Sequence, residues 1–362
     1  MFRRDPDRRS LLAGGAALFA GPGLAAAGFD AVVVRAGSNA PPGKRYDSLT
    51  SALNAASPAG PFRIWLGAGE WPEKLTIRTG NVSIIGEHRR HTRLRYDAAA
   101  GLNSPEGKPW GTSGSATLTV LAPGFHADSL TIENGFDPAE EAQRSGLRLG
   151  DWPGGQQAVA FMLAGASDRT VLRNVDILGR QDTLFTDAGR TLLDRCLISG
   201  TVDFIFGAGE TMLRACEIRS RTRPANQPAG GCIAAPSTRI DREAGLIFHR
   251  CDLTAEPGLP HGSVFLGRSW RPTRSFPDGR YGDPQALGMA AYIDCAMGPH
   301  IAPTGWTEMS FNDRGGARIA IEPETARFYE AGNIGPGAKG MRRSHPLDSA
   351  SRAHLLQTGR WT

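Results

Sequence analysis

Short apolar phrases ending on a small or turn-forming residue return along this chain: NVSIIGE from position 81, DSLTIENG from 128, RNVDILG from 173, RCLISG from 195, RACEIRS from 214, HRCDLTA from 249 and IDCAMG from 293. Their second apolar positions, Ile132, Ile177, Ile198, Ile218, Leu253 and Met297, fall at intervals of 45, 21, 20, 35 and 44. The short intervals lie near 20, and 45 is close to twice that. A period of this length, made of short strands and polar turns, specifies a parallel β-helix in which each coil gives one strand to each of several stacked sheets. A β-sandwich is the competing architecture, but it would need hairpin turns such as Asn-Gly between its strands, and these are scarce. The 46 glycines, 25 prolines and 21% charged residues fit a turn-rich all-β chain with little helical surface. The expected fold is all-β, a right-handed single-stranded parallel β-helix with long turn insertions.

Residues 1–27 stand apart from that pattern. Arg3, Arg4, Arg8 and Arg9 precede the apolar, small-residue stretch LLAGGAALFAGPGLAAA, as in an export signal, and DRRSLL resembles a twin-arginine signal. A membrane anchor is the other reading, and Gly14, Gly15, Gly21, Pro22 and Gly23 interrupt such a span. The expected organisation is an export signal over 1–27 and a β-helix domain over 28–362 with a C-terminal capping segment. Without the signal the formal charge falls from +5 to +3. That mild balance tolerates an acidic polymer as partner, and the absence of basic runs interleaved with aromatics excludes a nucleic-acid surface.

The five cysteines, Cys196, Cys216, Cys232, Cys251 and Cys295, form no C-x-x-C pair, so zinc-ribbon and thioredoxin-type motifs are absent. Cys196 and Cys216, 20 apart, are expected to stack on adjacent coils. A disulfide and a buried thiol ladder fit that spacing equally.

Register also places the acids. Asp182 and Asp203 are 21 apart, the interval of Ile177 and Ile198 beside them, and are expected to stack about 4.8 Å apart, the strand spacing. Two carboxylates so close do not both ionise freely: one holds a proton while the other is an anion. Such a pair serves a retaining glycosidase as well as an esterase. Gln157 and Gln181 flank the acids and offer amide donors to an oxyanion, which favours ester hydrolysis. No G-x-S-x-G occurs, so the carboxylates must do the chemistry of an esterase.

The chain resembles the pectin methylesterases (pectinesterases, carbohydrate esterase family 8). The resemblance rests on GEWPEKLTI from 69, GTSGSATLTV from 111, QAVAFML from 157, GRQDTLF from 179, GTVDFIFG from 200, LGRSW from 266, GWTEMS from 305 and FYEAGNIGPGA from 328, in the family's order over roughly residues 30 to 340. It implies hydrolysis of the methyl esters of polygalacturonate to pectate and methanol. Asp203 would be the nucleophile, Asp182 the acid and then the base, Gln181 with Gln157 the oxyanion donors, and Arg268 the group that orients Asp203. Trp270, Phe206, Phe185, Thr112 and Met309 would line the cleft, with Trp306 a weaker candidate; for each aromatic the alternative is burial in the core. Glu73 is expected to serve the fold. Ser269, where the family usually has proline, is expected to loosen the loop carrying Arg268 and Trp270. Phe185 stands where tyrosine is frequent.

The expected partner is pectin, that is, methylated homogalacturonan. No metal or cofactor is called for, no membrane contact remains after signal removal, and the protein is expected to be a monomer in the periplasm or secreted. A hydrolase or lyase acting on the polygalacturonate backbone is the competing activity, and a lyase would ordinarily want calcium, for which no dense Asp cluster is present. A divergent esterase or thioesterase on the same scaffold is a third reading.

Overall fold

In the computed structural model, which describes residues 28–35, 37–58, 60–146, 155–224 and 227–358, the strand phrases stack into three parallel sheets. The expected export signal lies outside the described residues. One coil shows the plan. Leu184–Thr186 enters a seven-stranded sheet, Arg190–Asp194 a twelve-stranded one and Leu197–Gly200 an eight-stranded one; Val202–Gly207 then returns to the first, one level along. We call these the cleft, flank and back sheets. The parallel pairings and this repeating strand order make a right-handed β-helix.

The ladder read from the sequence is the back sheet's inward column. Ile132 pairs with Ile177, Ile177 with Ile198, Ile198 with Ile218, Ile218 with Leu253 and Leu253 with Met297. All six are buried, and each such side chain withdrawn from water contributes about 1.5–3 kcal/mol. The interval of 45 is therefore one coil and not two. Its extra length is an insertion at the corner, which includes the helix Pro138–Ser145. The 44-residue interval is likewise one coil, lengthened by the hairpin Thr273–Phe276 with Gly279–Gly282.

Six successive coils pass from flank to back sheet through a single left-handed residue: Ser129, Asn174, Arg195, Ala215, Arg250 and Asp294, with φ between 51° and 56°. Glycine would adopt this conformation more cheaply, by about 1–2 kcal/mol. The residue after it turns inward, giving a column of Leu130, Val175, Cys196, Cys216, Cys251 and Cys295, all buried. The four cysteines of this column are free thiols, so the spacing reflects a thiol ladder and not a bridge. Burial pushes the Cys196, Cys216 and Cys251 thiols up, so they stay protonated and unreactive. We expect a thiol reagent to find five cysteines after denaturation and to react negligibly with the folded protein; fewer than five would reveal a bridge.

The near end of the solenoid is closed by the helix Leu49–Leu53, whose Leu49 and Ala52 join the main core. Glu73 holds that helix. Its carboxylate accepts from the Leu49 and Thr50 backbone N–H groups, both at 2.8 Å, and from the Thr50 hydroxyl at 2.6 Å. Loss of these otherwise unpaired helix-end donors' partner in Glu73→Ala should cost about 0.5–2 kcal/mol and leave kcat unchanged, as read from a thermal melt beside an activity assay. The C-terminal helix Ser349–Thr358 covers a side of the molecule instead of its end: Leu355 joins the apolar cluster that includes Val171, Leu192, Met212, Ile247 and Met289, on the outer face of the flank sheet.

Candidate active site

The corner between the back and cleft sheets carries both acids. Asp182 (φ 63°) precedes the strand Leu184–Thr186, and Asp203 (φ 49°) lies within Val202–Gly207. Leu184 pairs with Ile205 and Phe185 with Phe206, so the acids hold the same register one coil apart. The Asp182 N–H donates to Val202 O at 3.1 Å. Beside Asp203 the sheet is irregular: Val202 pairs with Cys232 and Ile205 with Ala234, so Asp203 and Phe204 together oppose Ile233. This bulge, with the left-handed backbone at Asp203, re-aims the carboxylate out of the strand's ordinary alternation. Gly200 permits the tight corner, since a Cβ there would meet Phe204 Cβ at 2.2 Å and Arg180 O at 2.6 Å.

All ten residues assigned from the sequence line one cleft of about 660 Å³ on the outer face of the cleft sheet: Gln157, Gln181, Asp182, Asp203 and Arg268, with Thr112, Phe185, Phe206, Trp270 and Met309. Arg268 grips Asp203 bidentately, Nε to Oδ1 at 2.9 Å and Nη2 to Oδ2 at 2.6 Å. Burial opposes the Arg268 charge, yet the hydrogen bonds and charge of Asp203 outweigh it and raise its pKa. Asp182 is 8% exposed and Asp203 7%. Burial, then the charge of Asp203, pushes the Asp182 carboxyl well above the usual carboxylate range; Arg268 and a hydrogen bond from Gln181 only partly offset this. The two acids are thus unlike: one is locked to a guanidinium, the other favours its proton. Nearby, burial and the Asp203 charge push the Cys232 thiol up, so no thiolate competes as nucleophile.

The glutamines approach from consecutive coils, the Ala158 N–H donating to Gln181 O at 3.1 Å. Gln157 Oε1 is buried without a hydrogen-bond partner. The wall bearing Gln157 and Thr112 is fastened by Asn134, whose Nδ2 donates to Ala98 O, Ser115 O and Val159 O at 2.8, 3.1 and 3.0 Å. Ser115 completes the knot, donating to Thr112 O at 2.7 Å and accepting from Val159 N–H at 3.0 Å.

Phe185 and Phe206 stack at 4.1 Å and Trp270 meets both edge-on, at 6.3 and 5.7 Å. They form an apolar floor separate from the main core. Trp306 is not in the cleft: it is fully buried, stacks on Phe328 at 4.1 Å and donates from Nε1 to Glu330 at 2.9 Å. Ser269 does not loosen its loop, because the flanking N–H groups of Arg268 and Trp270 donate to Ala234 O and Pro236 O at 2.9 and 3.0 Å.

The sequence reading missed one rim of the cleft. Two hairpins form it, Thr273–Phe276 with Gly279–Gly282 and Met309–Asn312 with Arg318–Ile321. They bring Thr273, Arg274 and Arg280 beside Met309. The Pro277-Asp278-Gly279 turn was the available signal. Asp187 was also missed. It lines the cleft, and its pKa is raised by burial against the opposing pull of Arg274 and the Ala208 N–H.

Among the described residues no cluster of His, Cys, Asp or Glu could hold a metal ion, and no helix is long and apolar enough to cross a membrane. A family model described as Pectinesterase matches residues 30–349. Pectinesterase A of Dickeya dadantii (strain 3937) is 38% identical over 350 residues, 93% of each chain. Pectin methylesterase PemA from Erwinia chrysanthemi superposes with a TM-score of 0.86 at 36% identity, over 93% of this chain and 99% of that one. Pectin methylesterase from Yersinia enterocolitica does so with a TM-score of 0.81 at 40% identity, over 85% and 96%. A solenoid with two unlike acids and two amides at one corner, matched along nearly its whole length, belongs to the pectinesterase family.

Proposed function

We propose that the protein hydrolyses methyl esters of polygalacturonate to carboxylate and methanol through a covalent aspartyl intermediate. The observation that carries this reading is the unlike pair, with Asp203 held by the Arg268 fork and Asp182 favouring its proton. Asp203 attacks the ester carbonyl carbon, and the oxyanion takes hydrogen bonds from Gln181 and Gln157. As the tetrahedral species collapses, Asp182 gives its proton to the departing methoxide, and an anhydride joins Asp203 to the sugar. Asp182, now a carboxylate, takes a proton from water; the hydroxide adds to the same carbon and frees Asp203. One water is consumed, one methanol leaves, and both acids return to their starting states. Arg268 keeps Asp203 oriented throughout by charge-assisted hydrogen bonds.

Thr112, Phe185, Phe206, Trp270 and Met309 hold the sugars, apolar ring faces meeting the apolar faces of the pyranoses. The enzyme acts after export, which the basic, apolar N-terminal sequence supports, and as a monomer, since a solenoid whose coils bury one another needs no partner to complete its core. Alkali uptake at constant pH, followed with viscosity, tests the reaction. Acid release at steady viscosity from methylated pectin supports the esterase, and a rapid fall in viscosity supports backbone cleavage instead.

A further inference from the structure

Two consecutive coils are broken open where the back sheet hands the chain to the cleft sheet. Residues 97–117 intervene between the strands Thr92–Tyr96 and Leu118–Val120, and residues 135–160 between Thr131–Asn134 and Phe161–Leu163. In the coil that carries Asp203 the same corner is Thr201 alone. Register positions the acids directly, whereas Gln157 follows a long insertion and its carboxamide has to be placed by other contacts. Asn134 closes both gaps. Its Nδ2 donates to Ala98 O and Ser115 O, near the two ends of the first insertion, and to Val159 O, near the end of the second. Its Oδ1 accepts from the Phe136 N–H at 3.0 Å, and the residue is 2% exposed, so it meets no substrate. From Ala98 the hold passes to the oxyanion donor. The Ala100 N–H donates to Gln157 O at 2.8 Å and the Gly101 N–H to Gly155 O at 2.9 Å. The Gln157 carboxamide lies against Gly155, where a Cβ would meet Oε1 at 2.2 Å.

We propose that Asn134 is a positioning residue for ester cleavage: by tying the two insertions together it fixes the Gln157 carboxamide where the oxyanion forms. This deepens the esterase reading and rests on it. A donor already in place stabilises developing charge without reorganising, and a displacement of about 1 Å can cost about 10²-fold in rate. Without the Asn134 amide three buried carbonyls lose a donor, and the segments that carry them shift or take in water. Ser115 shares the task, since its Oγ donates to Thr112 O and accepts from the Val159 N–H.

The test is a double-mutant cycle on methanol release from highly methylated pectin: wild type, Asn134→Ala, Gln157→Ala and the double variant, each with a thermal melt. Asn134→Ala should lower kcat by about 10- to 100-fold, a larger factor than any rise in KM. In the Gln157→Ala background the same substitution should lower kcat by no more than about two-fold, while the fall in melting temperature is the same in both backgrounds. A merely structural role gives the same kcat loss with and without Gln157, and that result would overturn the proposal. An unchanged kcat in Asn134→Ala, or a loss carried by KM instead, would overturn it as well. If Asn134→Ala does not yield folded protein, Ser115→Ala, which removes a single oxygen, takes its place in the cycle under the same criteria. Wild type that releases no methanol would instead remove the esterase reading itself, before any variant is compared.

Discussion

Asp203→Asn should fold and release methanol at least about 10⁴-fold more slowly than wild type, since removing a nucleophile that acts as a unit with its neighbours removes most of the catalysis. The amide keeps the size and one acceptor of the carboxylate but cannot form the anhydride. It also leaves the Arg268 charge without its bidentate partner, and breaking a buried pair from one side costs about 3–5 kcal/mol; the side chain of Arg268 is 29% exposed, which places the cost below that range. The variant should therefore melt earlier while its far-ultraviolet spectrum stays that of a β-helix. Methanol release within ten-fold of wild type, with the substitution verified, would take the nucleophile's role from Asp203.

Asp182→Asn should act on activity and stability in opposite directions. Without a proton donor for the leaving group, methanol release should fall by about 10²–10⁴-fold, the usual worth of general acid and base catalysis. Stability should rise at neutral pH. The folded pKa of Asp182 is raised above its unfolded value by burial and by Asp203. The stability it contributes is thus fully present below the unfolded pKa, about 3.9, and is lost as pH rises through the higher folded value. Asparagine is never charged and escapes that loss. Thermal melts should accordingly coincide near pH 4 and separate toward neutrality, the variant above wild type. The same proton sets the alkaline limb of wild-type kcat/KM, which should fall as pH rises through the folded pKa of Asp182. A variant that melts below wild type at pH 7 would mean that Asp182 is ionised there and stabilises the site.

The solenoid and its acids were legible because both obey one rule: side chains a coil apart in sequence are stacked in space. Ile177 with Ile198 and Asp182 with Asp203 share an interval of 21, so the site's register follows from the core's. Insertion lengths obey no such rule. The 45 residues from Ile132 to Ile177 hold a corner insertion and no second coil, because a strand pair constrains only its ends. The flank-to-back turns were hidden because Arg195, Ala215 and Arg250 occupy a left-handed conformation that carries no glycine signal. Trp306 misled for a similar reason. Its motif lies beyond the repeating phrases, where no alternation says which way a ring faces. Arg280 and Asp187 reach the cleft from a hairpin and a corner, so only the folded chain brings them to the acids.

The most direct test is to follow methanol and new reducing ends together while the purified wild-type protein acts on highly methylated pectin with a chelator present. Methanol rising with no new reducing ends is the expected result, and it identifies the acid pair as an ester-cleaving site. New reducing ends without methanol would contradict it and make Asp182 and Asp203 a glycosidic-bond-cleaving pair.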